Sequence, residues 1–368
     1  LSRVAVVAHC TTKFSVDNSP IESLLFSATK LLFERTKNLS QKDIDVVLVS
    51  TNDNKKYLAP IISEMSGTAP KISHNIESLC NSGTNSIVSA FSYISSGLAD
   101  VALVVGAERF DSPGQVLEWD LSRGEFKHPV FWASMFTSAH KRKFGTTDEQ
   151  LAHVSAKNHR NAKDNPTAYS TRKYTIEDIM NSKRLTDDLR LLDCSRPCTG
   201  SAAVLLASER VAKRFTDSPV WIRGIGQKTT SASFTKNDLT RLESTVDASA
   251  QAYGMAKITP DQIDVAEVHD AFTICEIMIL EDLGIVQKGQ AGKYVMELYN
   301  TESRKINPRG GLIGSGHPLG ATGIAQVVEI TSQLQANATG RQVEGAKLGL
   351  VQNMSAAATS STVLILGS

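Results

Sequence analysis

The chain has almost no surplus of charge. In 368 residues, 39 Lys and Arg stand against 38 Asp and Glu, a formal net charge of +1. No run of like charges forms a basic arm or an acidic tail, so a small molecule is expected as the main partner and a nucleic acid is not. Long hydrophobic runs are missing too: no stretch approaches ~18 apolar residues, which excludes a membrane span. The five cysteines, Cys10, Cys80, Cys194, Cys198 and Cys275, are odd in number and scattered. That pattern opposes a disulfide framework and suits a reducing, cytoplasmic compartment. The opening LSRVAVVAHC has no small-residue cleavage site after its short apolar run, and is expected to form a first strand rather than a signal peptide.

Several chemistries lack their signatures as well. There is no phosphate loop ending in Gly-Lys-Ser/Thr, no Gly-x-Ser-x-Gly elbow, and no dinucleotide fingerprint after a strand. Cys194 and Cys198 form Cys-x-x-x-Cys without a second pair or a histidine cluster, so no metal site is expected.

What is present is 41% hydrophobic residues in a chain long enough for two or three domains. Short apolar runs at 3–8, 44–50, 100–106, 202–207, 220–226, 263–268, 347–352 and 362–366 alternate with helix-length segments. Continuous apolar character marks strands covered on both faces, which predicts a layered α/β architecture. The chain also echoes itself. Asp-Ile-Asp-Val at 43–46 returns as Gln-Ile-Asp-Val at 262–265, and the small-polar entry to the strand at 202–207 returns before 362–366, which predicts a duplicated α/β unit. Charge divides the chain further. Residues 71–106 carry only Lys71, Glu77 and Asp100, whereas 111–193 carry 13 basic and 12 acidic residues. The latter is expected to be a solvated insertion, a lid or cover, with His153 and His159 facing solvent.

Three residues stand out chemically. Cys80 lies between an extended segment and a helix of small residues from about Gly83 to Ser96. A thiol at a helix N-terminus is expected to have a lowered pKa, as a nucleophile needs; the alternative is an ordinary buried cysteine. His317 sits among six glycines in 306–323 and is clamped between Gly316 and Pro318, which allows close backbone approach to a ligand. His269 ends a predicted strand, with a helix expected to start at about Asp270 and Asp270 as its cap.

Cys80 before the small-residue helix, His269-Asp270-Ala271-Phe272, and Gly-His-Pro-Leu-Gly-Ala-Thr-Gly at 316–323 resemble the thiolase superfamily in order and spacing. The branch they resemble is the sterol-carrier and archaeal acetyl-CoA acetyltransferase type. The resemblance spans essentially the whole chain and implies a five-layered αβαβα fold of two similar halves: 1–110 with 191–215, and 216–368, with 111–190 as an inserted loop domain. It also implies acyl transfer, with Cys80 taking the acyl group, His317 its proton, and His269 with His317 stabilising the enolate and oxyanion. Gly316 and Asn353 would support the loops of the site. Coenzyme A thioesters would be substrates and no cofactor would be tightly bound. Candidate phosphate contacts are Lys157 to Lys163 and Arg172-Lys173. Implied partners are a second copy pairing through 71–79, giving a homodimer or tetramer, and a small zinc-ribbon/OB-fold protein with a synthase.

The sequence departs from the family at the second acid/base. Ala271 stands at the third position of the His-Asp motif, and 352–357 read Gln-Asn-Met-Ser-Ala-Ala, so both usual cysteines are absent. Cys275, one helical turn beyond Ala271, is a candidate replacement, against the alternative of a core cysteine. Three functions fit these residues: a thiolase forming or cleaving acetoacetyl-CoA or another 3-ketoacyl-CoA; a decarboxylative condensing or retro-aldol enzyme; and a CoA-thioester-binding subunit of a larger complex.

Overall fold

A computed structural model describes residues 2–112, 126–233 and 236–368. The first half comprises β1 (Val4–Thr11), α1 (Ile21–Arg35), β2 (Val46–Ser50), α2 (Leu58–Ser66), β3 (Ile72–Ile76), α3 (Ser82–Ser95) and β4 (Val101–Glu108). Three helices follow, α4 (Pro129–Phe144), α5 (Asp148–Ala162) and α6 (Ile176–Met180), before β5 (Gly200–Ser208) closes the half. The second half contains β6 (Val220–Thr229), α7 (Glu243–Ala256), β7 (Val265–Glu267), α8 (Thr273–Asp282), α9 (Ala291–Asn300) and α10 (Gly311–Ser315). It ends with α11 (Leu319–Leu334), β8 (Leu348–Ser355) and β9 (Ser360–Gly367).

The strands run in the order β3-β2-β4-β5-β1-β6-β9-β8-β7. Only two residue pairs, Ala5–Trp221 and Val6–Val220, join β1 to β6, so the order divides there into two half-sheets. Each has the same internal pattern. Parallel β2–β4 and antiparallel β4–β5 and β5–β1 are matched by parallel β7–β8 and antiparallel β8–β9 and β9–β6. The sequence echo is thus a repeated topology, with β3 as an added edge strand.

Alternation along the strands creates five layers. Ala5 and Val7 pack outward with Leu25, Leu32 and Ile62 of α1 and α2. Val4 and Val6 pack inward with α3 and α11, and so do Leu364 and Leu366 of β9 from the other side. Val363 and Ile365 face outward again, with α7 and α8. The two central helices meet backbone to backbone: a Cβ on Gly83 would lie 2.9 Å from the Ile324 nitrogen, and one on Gly323 would lie 2.7 Å from that of Thr84. This contact is why α3 is built from small residues.

One expectation fails here. The helix α5 is not a solvated cover: Leu151 through His159 are all buried, including Lys157 and Asn158. Lys157 and Asn158 are matched inside the protein rather than in water, by Glu276 and Asp270. His153 donates its Nδ1–H to the Glu149 carbonyl at 2.8 Å, and His159 packs against Tyr174 with ring centroids 4.7 Å apart, so neither faces solvent. Residues 113–125 of the expected insertion lie outside the described residues. Among the described residues no helix is long and apolar enough to cross a membrane.

Candidate active site

Cys80 occupies a single 3-10 turn, Leu79–Asn81, between β3 and α3. Leu79 has φ +49°, and the turn is tied by Ser82, whose hydroxyl donates to the Leu79 carbonyl at 2.6 Å and accepts from the Ser78 N–H at 2.7 Å. The N–H groups of Cys80 and Ala356 face the sulfur and favour its thiolate. They do not win. Burial, reinforced by the nearby Glu108 carboxylate, pushes the thiol up to about 12. The expected lowering by the helix N-terminus is therefore overturned in the free protein, because desolvation of the thiolate outweighs the dipole.

His269 follows β7, its N–H donating to Gln352 Oε1 at 3.2 Å. Helix α8 begins at Thr273, not at Asp270, and Asp270 does not cap it. The Asp270 carboxylate instead accepts from the N–H groups of Leu312 (2.6 Å) and Ile313 (3.2 Å) at the start of α10, and from Asn158 Nδ2 at 2.7 Å. Gly311 makes room for it, since a Cβ there would sit 2.2 Å from Asp270 Oδ2. Asp270 thus anchors the loop that leads to His317.

His317 is fixed from several directions. Its N–H donates to the Arg196 carbonyl at 2.9 Å. Gly316 has φ +98°, and a Cβ there would lie 2.7 Å from Cys198 Sγ, so this position needs glycine twice over. The Thr322 hydroxyl donates to the Pro318 carbonyl at 3.0 Å and lies 2.8 Å from His317 Nδ1. With its proton spent on Pro318, that hydroxyl accepts from Nδ1–H, which leaves Nε2 as the free base. The far end of the loop is held by Glu108, which accepts from the Gly320 N–H at 3.0 Å and from the backbone and side chain of Asn52.

These elements bring one ligating or reacting atom each of Cys80, His269 and His317 within 4.8 Å of one another. The two imidazoles meet edge to face, with centroids 5.2 Å apart. Burial lowers His269 to about 3, opposed by the Asn353 amide. Burial, His269 and Arg309 hold His317 well below the ordinary histidine range. The resting site is therefore a neutral thiol beside two neutral imidazoles. Among the described residues it is the one cluster with three such donors together, but a thiol that keeps its proton is a poor metal ligand.

Behind the histidines lies a buried polar network. Lys157 and Glu276, both fully buried, form an ion pair at 3.0 Å. Asn158 and Asn307 each donate to Glu276 Oε2 at 2.8 Å, and Lys157 also reaches the Ile306 carbonyl at 3.2 Å. Burial and the neighbouring Glu276 raise Asp270 to about 7. Lys157 is thus committed to Glu276 and is not a phosphate contact, whereas Lys163, Arg172 and Lys173 are exposed.

Cys275 is sealed in the core on α8 and its thiol is raised by burial, so it is not presented to the cavity. Cys194, passed over in the sequence, is presented: it is half-buried and lines the same cavity as Cys80 and both histidines. Nothing local in the sequence marks it. Its place follows from bridges pairing Cys194 with Phe272 and Pro197 with His317. Asn353 donates to Gln326 Oε1 at 2.6 Å, while its own buried Oδ1 makes no hydrogen bond of ordinary geometry among the described residues. The cavity has a volume of about 260 Å³ and an apolar wall including Val130, Trp132, Leu185, Leu191, Phe272 and Leu319.

Known proteins resemble this chain in sequence and in fold. The family described as "Thiolase, N-terminal domain" matches residues 4–177, and "Thiolase C-terminal domain-like" matches 226–368. The acetyl-CoA acetyltransferase of Methanothermobacter thermautotrophicus is 39% identical over 323 residues, 84% of this chain and 84% of that one. Among solved structures, the "Ltp2-ChsH2(DUF35) aldolase" aligns with a TM-score of 0.89 at 21% identity, covering 100% of this chain and 98% of that one. Human mitochondrial 3-ketoacyl-CoA thiolase in complex with CoA aligns with a TM-score of 0.76 at 19% identity, covering 100% and 98%. The repeated half-sheets, the Cys-His-His cluster and the matches at both ends make this chain a member of the thiolase superfamily and an enzyme of the thiolase acyltransferase type.

Proposed function

We propose that the protein transfers acyl groups between coenzyme A thioesters by way of a thioester on Cys80. The observation that carries this is the convergence of Cys80, His269 and His317 within 4.8 Å. Cys80 gives its proton to Nε2 of His317 as sulfur attacks the thioester carbonyl. The C–S bond to coenzyme A then breaks, and the departing thiolate takes that proton from His317. Because thiol and imidazole are both neutral at rest, proton transfer accompanies attack instead of preceding it. The N–H groups of Cys80 and Ala356, which face the sulfur, are placed to receive the carbonyl oxygen as it gains charge. In the thiolysis direction Cys80 attacks the 3-keto carbonyl as its proton passes to His317, and the bond between the α-carbon and that carbonyl breaks. The enolate released against His269 and His317 takes the proton at its α-carbon, with Gly316 and Asn353 supporting the loops around them.

The apolar wall of Val130, Trp132 and Phe272 favours acyl chains bulkier than acetyl, which would leave most of this cavity unfilled. We assign that wall to the 111–190 segment acting with the halves formed by 1–110 plus 191–215 and by 216–368. β3, within the 71–79 segment, is one of the two ends of the strand order and suits pairing with a second copy. A partner subunit is a further expectation.

A second function has support from the positions where the family's second cysteine is expected. They hold Ala271, Met354 and Ser355, so no residue there can remove an α-proton. Chemistry that generates the carbanion by carbon–carbon cleavage, through decarboxylation or a retro-aldol step, needs no such base.

Intact-mass analysis after incubation with acyl-CoAs from acetyl to branched and aromatic tests the first half-reaction. Acyl adducts on the wild type and none on Cys80→Ala are expected; absence of adduct with every acyl-CoA overturns the proposal. Turnover of 3-ketoacyl-CoA with coenzyme A then separates thiolysis from carbon–carbon cleavage that releases CO₂ or an aldehyde or ketone.

A further inference from the structure

Away from the active site, a cavity of about 230 Å³ opens between the end of β1, the end of α1 and the outer part of α11. Arg309, Arg35, Arg341, Glu329 and His9 are in its wall. Arg309 is 3% exposed, yet its guanidinium has no hydrogen bond or ion pair among the described residues, and its Nη1 is buried without an acceptor. The ring of Phe14 lies 5.5 Å from the guanidinium carbon. A buried guanidinium is ordinarily matched by carboxylates or carbonyls, because leaving it bare forfeits its hydration with nothing in return.

The acids nearby do not fill that role. Glu329 has both oxygens bound by Arg341, at 3.0 Å to Nε and 2.9 Å to Nη2, and also accepts from Gln333. Glu267 accepts the backbone N–H of Arg309 at 3.0 Å; burial raises its carboxyl well above the ordinary range despite the opposing charge of Arg309, and among the described residues the two form no ion pair. With Glu329 matched by Arg341, Arg309 inside and the exposed Arg35 at the mouth remain as cations without a carboxylate partner among the described residues.

We propose that this cavity binds a small oxyanion, the phosphate or carboxylate group of a metabolite, with Arg309 as its principal ligand and Arg35 at its entrance. The site shares no lining residue with the Cys80 cavity and is linked to it by the backbone of Arg309 and the field of its guanidinium. Arg309 donates its N–H to Glu267 at the end of β7, which leads into His269. Its carbonyl accepts from Asn165 and from Ser315 in the loop that carries His317. An anion bound here sits astride both approaches to the catalytic histidines and screens a positive charge that His317 feels.

Isothermal titration of the full chain with inorganic phosphate and, separately, citrate, at ionic strength held constant with NaCl, tests this. Saturable one-to-one binding is expected for at least one of the two, and which one binds identifies the anion. Arg309→Gln should weaken it about 10–100-fold, the scale of a lost charged hydrogen bond. Arg35→Gln, an exposed change that cannot upset the core, should weaken it by a smaller factor. No saturable binding of either anion to the wild type, or an affinity unchanged in Arg309→Gln, overturns the proposal. If Arg309→Gln does not fold, an unchanged affinity in Arg35→Gln overturns it alone.

Discussion

Cys80 and the two histidines face one cavity from walls built on opposite principles. The Cys80 wall is almost without charged side chains: it consists of a 3-10 turn, a hairpin end and their N–H groups, held in unusual conformations. Leu79, Ala356, Ala357 and Ala358 all have positive φ. The histidine wall is held by ionisable groups removed from water, with Asp270, Glu276, Lys157, Asn158 and Asn307 in one connected set. A nucleophile must tolerate acylation and deacylation in place, and backbone donors stay fixed whatever the sulfur's charge. Two neutral imidazoles need orientation more than charge, and a network of directional bonds provides it.

The comparison is broken most severely at the two reacting atoms. Cys80→Ala should reduce acyl transfer by about 10⁴-fold or more, because among the described residues Cys80 is the thiol grouped with the two histidines, whereas Cys194 lines the cavity outside that group. His317→Ala should fall by a similar factor if the pair acts as a unit. The double variant should then be hardly worse than either single one, measured by the rate of acyl-CoA consumption. Rates that multiply in the double variant would show that thiol and imidazole act separately.

The histidine wall breaks through folding. Lys157→Met leaves Glu276 buried without its ion pair and should destabilise by about 3–5 kcal/mol in urea unfolding. Adding Glu276→Leu removes the second charge, and the apolar pair should recover much of the pair's own loss. Asn158 and Asn307 would still lose their acceptor, so recovery stays incomplete. A double variant no more stable than Lys157→Met would mean that the network acts through those amides rather than through the ion pair.

How much of this was legible depended on which wall is considered. The eight apolar runs fall on strands, because strands buried on both faces advertise themselves in composition. The small-residue character of α3 likewise announced a buried helix, since Gly83 and Gly323 allow only a backbone contact. The histidine wall is hidden for the same reason in reverse. Lys157 and Asn158 lie in a run with the composition of a solvated face, and only long-range pairing with Glu276 shows that they are satisfied inside. Asp270 resembled a cap for the helix that follows it, yet its carboxylate caps α10, far along the chain. Cys194 had no local signal at all. A helix N-terminus beside the thiol is visible in sequence, whereas the depth of burial that opposes its effect is not.

A smaller effect separates the groups by acidity. Burial lowers His159 to about 4 from an ordinary value of 6.5. Between those values the unfolded chain binds a proton that the folded chain refuses, so this group's contribution is lost as pH falls from about 6.5 towards 4. Asp270, raised to about 7, has the opposite sign: its folded form holds a proton that the unfolded chain has released, so stability falls as pH rises towards 7. His159→Gln should therefore lose less stability than the wild type on going from pH 6.5 to pH 4, read from urea midpoints. An unchanged slope would mean that His159 charges without unfolding.

The smallest effect bears most directly on the Cys80 wall. Ala357 is buried in the hairpin end between β8 and β9 with φ +59°. A left-handed conformation costs an L-residue roughly 1–2 kcal/mol, and glycine is free of that cost. Ala357→Gly also gives up about 0.8 kcal/mol of methyl burial and some unfolded-state entropy, so the terms nearly cancel and stability should move by less than about 1 kcal/mol. Ala90 is an equally buried alanine in the middle of α3, with ordinary helical geometry. Ala90→Gly removes the same methyl, but adds a helix penalty of about 1 kcal/mol instead of relieving strain, for a total loss near 2 kcal/mol. The pair differ only in backbone handedness, so the gap between them measures the conformational strain held beside Cys80. Equal losses in urea unfolding would show that the turn is not strained, and that the sulfur's N–H donors are held by side-chain packing as the histidines are.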